Sequence, residues 1–136
     1  MSTTLDELEA FLADWDTCDS KEAFSLFRQT LESIDGVELG FKARPGITYS
    51  LRGSHPAQQG RELFVMIDVI DDDPAQRWLS VCFYDDMVTD LDDLGDWVPE
   101  GLMGEDARCF NVDEADEALV AYVAERIRES GAKASK

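Results

Sequence analysis

Leu63-Phe-Val-Met-Ile-Asp-Val-Ile70 and Trp78-Leu-Ser-Val-Cys-Phe-Tyr84 decide the fold of this chain. Both runs are short and nearly continuous in apolar residues, the pattern of strands inside a sheet. Asp71-Asp-Asp-Pro74 ends the first of them. Strands that are apolar on both sides need cover on both sides. The pair therefore predicts a central sheet packed on both faces, at least locally.

Upstream, Gly53-Ser-His-Pro-Ala-Gln-Gln-Gly60 is polar and reads as a loop. Before it the apolar period is two. Val37, Leu39, Phe41 and Ala43 alternate with polar or small residues, and Ile47, Tyr49 and Leu51 resume the alternation. Arg44-Pro45-Gly46 turns the chain between them, because Pro fixes φ and Gly accepts positive φ. Further upstream the spacing is helical. Leu5, Leu8, Leu12 and Trp15 predict a first helix, capped by Thr3 or Thr4. Phe24, Phe27, Leu31 and Ile34 predict a second. Asp19 or Ser20 caps it, Asp19 and Glu22 have capping-box spacing, and Gly36 is its left-handed stop.

Downstream, Met87, Val88, Leu91 and Leu94 suit one short helix, capped by Asp85 and stopped by Gly95. Trp97, Val98, Leu102 and Met103 read as anchors of an irregular loop. Ala107 to Val112 reads as a last strand. Asp113 caps a final helix whose face carries Leu119, Val120, Tyr122, Val123 and Ile127, and Gly131 ends it. Arg126 lies within that face, to snorkel or to pair with an acid. The order predicts a single α+β domain over residues 1–131, with a mainly antiparallel sheet of about five strands. Two helices precede the sheet, one follows it, and a frayed tail covers 132–136.

Charge narrows the partners. Thirty acidic residues oppose twelve basic ones, a formal net charge of −18. Such a surface repels phosphate backbones and anionic lipid, which argues against nucleic-acid binding through a basic face. No apolar run is long enough to span a membrane, and Met1-Ser-Thr-Thr-Leu-Asp-Glu is no secretory signal. Cys18, Cys82 and Cys109 are odd in number and far apart in sequence. They read as reduced, mostly buried thiols of a cytoplasmic protein.

Motifs for chemistry are few. His55 is the only histidine, and neither Gly-x-Ser-x-Gly nor a phosphate loop occurs. The acids from Asp90 to Asp96 miss the calcium-loop spacing: Leu94 stands at the fifth position and Gly101 at the twelfth. The sequence thus nominates no catalytic residue, metal or cofactor. What it shows is charge segregation. Residues 39–61 hold Lys42, Arg44, Arg52 and Arg61 and no acid; residues 85–106 hold nine acids and no base. Alternation puts Phe41, Tyr49 and Leu51 on one side of the hairpin and Lys42, Arg44 and Arg52 on the other. Three arrangements fit. The acidic segment folds back on the basic hairpin, or it meets the hairpin of a second copy, or the hairpin takes an anionic ligand.

At Arg77-Trp-Leu-Ser-Val-Cys-Phe-Tyr-Asp-Asp-Met87 and Gly101-Leu-Met-Gly-Glu-Asp-Ala-Arg-Cys-Phe110 the chain resembles small acidic bacterial α+β proteins of similar length, to which no activity is assigned. In size, charge and helix–strands–helix outline it is loosely similar to the type III secretion chaperones. That similarity implies a dimer that binds extended segments of client proteins. The leading expectation is a non-enzymatic protein-interaction module that self-associates or binds a protein partner. Its nominated residues are Lys42, Arg44, Tyr49, Arg52, His55 and Trp97. The alternative is a small-anion-binding protein or enzyme using His55 with Arg44 and Arg52.

Overall fold

The computed structural model describes residues 4–113 and 116–136. Helices α1 (Thr4–Asp14) and α2 (Asp19–Glu32) lead into six strands. These are β1 (Glu38–Arg44), β2 (Thr48–Ser54), β3 (Val65–Ile70), β4 (Trp78–Tyr84), β5 (Asp96–Leu102) and β6 (Glu105–Val112), and α3 (Glu117–Ala134) follows. One antiparallel sheet has the order β1-β2-β3-β4-β6-β5. The fold is the expected α+β, with two helices before the sheet and one after, and with six strands against about five.

The extra strand is β5. The short helix anticipated over Met87–Leu94 is absent, leaving one 3-10 turn at Asp85–Met87. The Asp90 carboxylate accepts the N–H groups of Leu94 and Gly95, both at 2.9 Å, and so holds the chain in a turn that competes with helix. Asp96–Leu102 then pairs with β6 as an edge strand, where Pro99 is tolerated. Of the anticipated loop anchors only Leu102 is buried; Trp97, Val98 and Met103 are exposed.

The helix ends differ in detail. Cys18 occupies the N-cap of α2 and makes no side-chain cap, so neither Asp19 nor Ser20 serves. Ser20 Oγ instead donates to the Arg77 carbonyl at 2.9 Å. Asp116, not Asp113, caps α3, accepting from Leu119 N at 3.0 Å. The cap expected at Thr3 or Thr4 lies outside the described side chains. Gly131 does not stop α3. It lies inside the helix against Ile34, where an added Cβ would sit 2.8 Å from Ile34 Cδ1. The helix runs on to Ala134, which is buried. Gly36 and Gly46 have the expected positive φ, at 85° and 83°.

All three helices lie on one face of the sheet. Phe11 of α1 stacks on Tyr49 at 4.1 Å. Leu31 of α2 approaches Gly53 so closely that a Cβ there would be 2.8 Å from Leu31 Cδ2. Tyr122 of α3 packs on Phe110 at 6.0 Å. Leu51, Ile67, Val69, Leu79, Val81, Phe83 and Phe110 are consequently buried. The residues between them point the other way, where no helix packs. The two-sided cover inferred from Trp78–Tyr84 is therefore corrected: Trp78, Ser80 and Cys82 are only half-buried. Tyr84 is buried because the Arg61 guanidinium lies 4.0 Å above its ring.

Cys82 and Cys109 face each other across β4 and β6, with Cα atoms 4.1 Å apart, and form a disulfide. This overturns the reading of three reduced thiols; a pair far apart in sequence is adjacent once the strands pair. The compartment argument drawn from reduced thiols loses that support. Among the described residues no helix is long and apolar enough to cross a membrane. Cys18 is free and exposed. Native, unreduced protein is expected to take iodoacetamide at Cys18 alone, and at all three cysteines after denaturation with reductant. Mass spectrometry showing three labels without reductant would contradict the pairing.

Candidate functional site

The uncovered sheet face is a grid set by register. One row runs from Arg44 through Thr48 and Ile70 to Trp78. The next runs Lys42, Ser50, Asp68, Ser80, Asn111. The third runs Gly40, Arg52, Met66, Cys82, Cys109, Asp96. Lys42 and Arg44 are exposed, and Arg52, Met66, Asp68, Ile70 and Trp78 are half-buried. The face combines a cationic end, an apolar middle and one central carboxylate.

These cations lack carboxylate partners. Arg28, Arg61, Arg77, Arg108, Arg126 and Arg128 each form an ion pair. Among the described residues Lys42, Arg44 and Arg52 form none, although acids outnumber bases by thirty to twelve. Arg52 Nε only donates to Ser50 Oγ, at 3.2 Å. Asp68 is a charge of opposite sign within reach of the fields of Arg52 and Arg44. Burial pushes its carboxyl above the usual Asp range, against the pull of Ser50, Arg52 and Arg44. Its Oδ1 is buried without a hydrogen-bond donor.

The acidic segment does not screen this patch. Strand order puts β5 and β6 at the opposite end of the sheet from β1 and β2. Arg61 alone of the basic stretch is taken up, by Asp86 at 2.9 Å and Glu105 at 2.8 Å. Its bonds hold both carboxyls below their ordinary values. Arg108 takes Asp85 at 2.9 Å and Asp90 at 3.1 Å. The fold-back arrangement therefore accounts for Arg61 and leaves the other three cations uncovered.

The remaining nominated residues are dispersed. Tyr49 lies on the helix-covered face, opposite to Arg44 and Arg52. His55 follows β2 at its far end. Arg44 opposes Thr48, seven residues before His55, so roughly 24 Å of strand separates them. His55 Nδ1 accepts from Ala57 N at 3.1 Å, which leaves Nε2 to donate to the Asp35 carbonyl at 3.1 Å. Its ring fills the space over Gly36, where a Cβ would come within 2.7 Å of Nε2. Here histidine is a loop fastener. Trp97 is exposed on the β5 edge, on the side of Arg108 rather than that of Asp96. The structure brings Lys42, Arg44 and Arg52 together, and brings Tyr49, His55 and Trp97 to neither them nor each other.

A cavity of about 820 Å³ opens between the α1–α2 and β3–β4 connections, lined in part by Trp15, Cys18, Arg77 and Trp78. Asp14, Asp16, Asp19 and Asp113 also line it. Its guanidinium is already committed: Arg77 Nε meets Asp71 Oδ1 at 2.6 Å. Four carboxylates around one neutralised cation suit no anionic ligand. Among the described residues no group of three or more His, Cys, Asp or Glu is placed to hold a metal ion. No protein family, curated protein or solved structure matches the chain.

Two carboxylates position the surface. Asp71, 3% exposed, accepts from Arg77 and from Gly46 N at 2.9 Å. Asp90 accepts from Leu94 N, Gly95 N, Tyr122 Oη and Arg108. Burial pushes both carboxyls up, but these donors outweigh it and hold both below the Asp range. A depressed carboxyl contributes stability that is fully present above an ordinary Asp value of about 4 and is lost as pH falls through the folded value. The acid-unfolding midpoint, followed by circular dichroism, is therefore expected below about pH 4. Asp71→Ala strands a buried guanidinium and should cost about 3 kcal/mol in urea unfolding at neutral pH. A loss within about 0.5 kcal/mol, as for an ordinary surface change, would contradict the lock.

Proposed function

We propose that this domain is a non-enzymatic protein-interaction module that docks an acidic protein segment on the uncovered face of its sheet, against Lys42, Arg44 and Arg52. One observation carries the reading: among the described residues these three cations form no ion pair, and they cluster on the face that no described helix covers. Unpaired cations attract an acidic partner over long range and set its orientation. Affinity then comes from the half-buried Met66, Ile70 and Trp78, since each exposed charge pair adds only about 0.2–1 kcal/mol. Capture of an extended acidic segment is also the chaperone-like behaviour that the outline similarity implies. The small-anion reading requires His55 beside Arg44 and Arg52, and the hairpin length holds His55 apart from Arg44.

The test is a titration of isotope-labelled protein with oligoglutamate, followed by amide chemical shifts, with inorganic phosphate as the small-anion arm. Oligoglutamate is expected to shift residues of the uncovered face of β1–β3, and the Lys42→Glu/Arg44→Glu/Arg52→Glu variant to lose the response. Shifts elsewhere, an unchanged response in the variant, or a stronger response to phosphate at the same residues would overturn the reading.

A further inference from the structure

The uncovered face has a direction. Its first row begins at Arg44 and reaches Trp78 without a carboxylate. Its third row carries Arg52 near the β1 edge and ends at Asp96 on the β5 edge. The third row thus passes from cation to carboxylate across the sheet, and the first begins with a cation at the same end. Apart from the Arg61–Glu105 pair, the residues of this face that the strand register pairs carry three cations, Lys42, Arg44 and Arg52, against three carboxylates, Glu38, Asp68 and Asp96, on a molecule whose net charge is −18.

From this polarity we infer that the segment docked on the face belongs to a second copy of this chain, stacked face to face about a two-fold axis parallel to the strands. The inference rests on the interaction reading of the same face. Rotation about such an axis lays the β1–β2 end of one sheet over the β6–β5 end of the other. Arg44 then comes over the β6–β5 end of the partner, and Arg52 over the same end, which carries the partner's Asp96. An axis running across the strands would lay β1 on β1 and set the cationic ends of the two sheets against each other. Charge therefore selects the first arrangement.

Two further features fit it. Stacked sheets lie about 10 Å apart, room for Met66, Ile70 and Trp78 to interdigitate. Six strands spaced about 4.8 Å, with rows spanning roughly 20 Å, make a face of about 600 Å². Two such faces bury on the order of 1,200 Å², the lower end for a specific interface. The pair is accordingly a reversible one.

Reversing one end and then the other tests the arrangement. Arg44→Glu/Arg52→Glu makes both ends acidic; Asp96→Lys adds a cation at the far end. Sedimentation velocity from about 5 to about 500 µM brackets the affinity of a small interface. The wild type is expected to pass from monomer to dimer over this range. Each variant alone should dimerise at least tenfold more weakly, and an equimolar mixture of the two should recover dimer. The mixture guards against misfolding, because two misfolded variants do not restore a specific dimer. A wild type that stays monomeric, variants that dimerise normally, or a mixture that fails to recover would each overturn the second-copy inference. If the wild type stays monomeric yet keeps its response to oligoglutamate, the interaction reading stands with another acidic partner. If both are absent, both readings fall.

Discussion

The contact between Asp71 and Arg77 holds this fold together at the end where its layers meet. Asp71 sits just past β3 and joins the β3–β4 connection to the β1–β2 turn. Its carboxylate takes Arg77 Nε at 2.6 Å and Gly46 N at 2.9 Å, and its own N–H donates to the Ile47 carbonyl. Arg77 then reaches back to the helices. Its guanidinium lies 5.4 Å from the Phe11 and Tyr49 rings and 5.6 Å from Trp15, and its carbonyl accepts from Ser20. The β1–β2 turn, the β3–β4 connection, α1 and α2 are thus tied by two side chains. A buried pair of this kind is weak evidence for net stability, but it strongly penalises any arrangement that separates the partners.

That tie has a consequence for the opposite face. With α1 and α2 fixed to one side of the sheet, and α3 beside α2, the other side is left without a helix. On that side alternation fixes what is displayed. The hairpin contributes Lys42, Arg44 and Arg52, and the middle strands contribute Met66, Ile70 and Trp78. The acids cannot fold over to neutralise the hairpin, because the strand order holds them at the far edge and Arg61 and Arg108 occupy them there. The polarity of the face follows from topology, and topology follows from where the helices are fastened.

Much of this was legible in the residues. Helical spacing located all three helices, Pro45 and Gly46 marked the hairpin, and alternation alone put Lys42, Arg44 and Arg52 on one side. It also put Tyr49 on the other, which already opposed grouping Tyr49 with those arginines. β5 was not legible, because an edge strand with exposed Trp97 and Val98 and an internal Pro99 carries no buried alternation. The Asp90 turn was hidden for a related reason: a carboxylate that captures backbone N–H groups overrides an apolar spacing. The disulfide and the polarity of the face depend on which residues oppose one another. Register between strands far apart in sequence is set by packing, and no local pattern encodes it. Gly131 misled because its lack of a side chain serves a close approach to Ile34 rather than a helix end.

The account stands on a sheet with helices on one face only. Methyl relaxation by a soluble paramagnetic agent reads this directly, in protein diluted until it sediments as monomer. The methyls of Met66 and Ile70 are expected to relax strongly, and those of Leu51, Ile67 and Val81 to stay protected. Protection of Met66 and Ile70 in the monomer would mean that the chain covers this face itself, and would contradict the account.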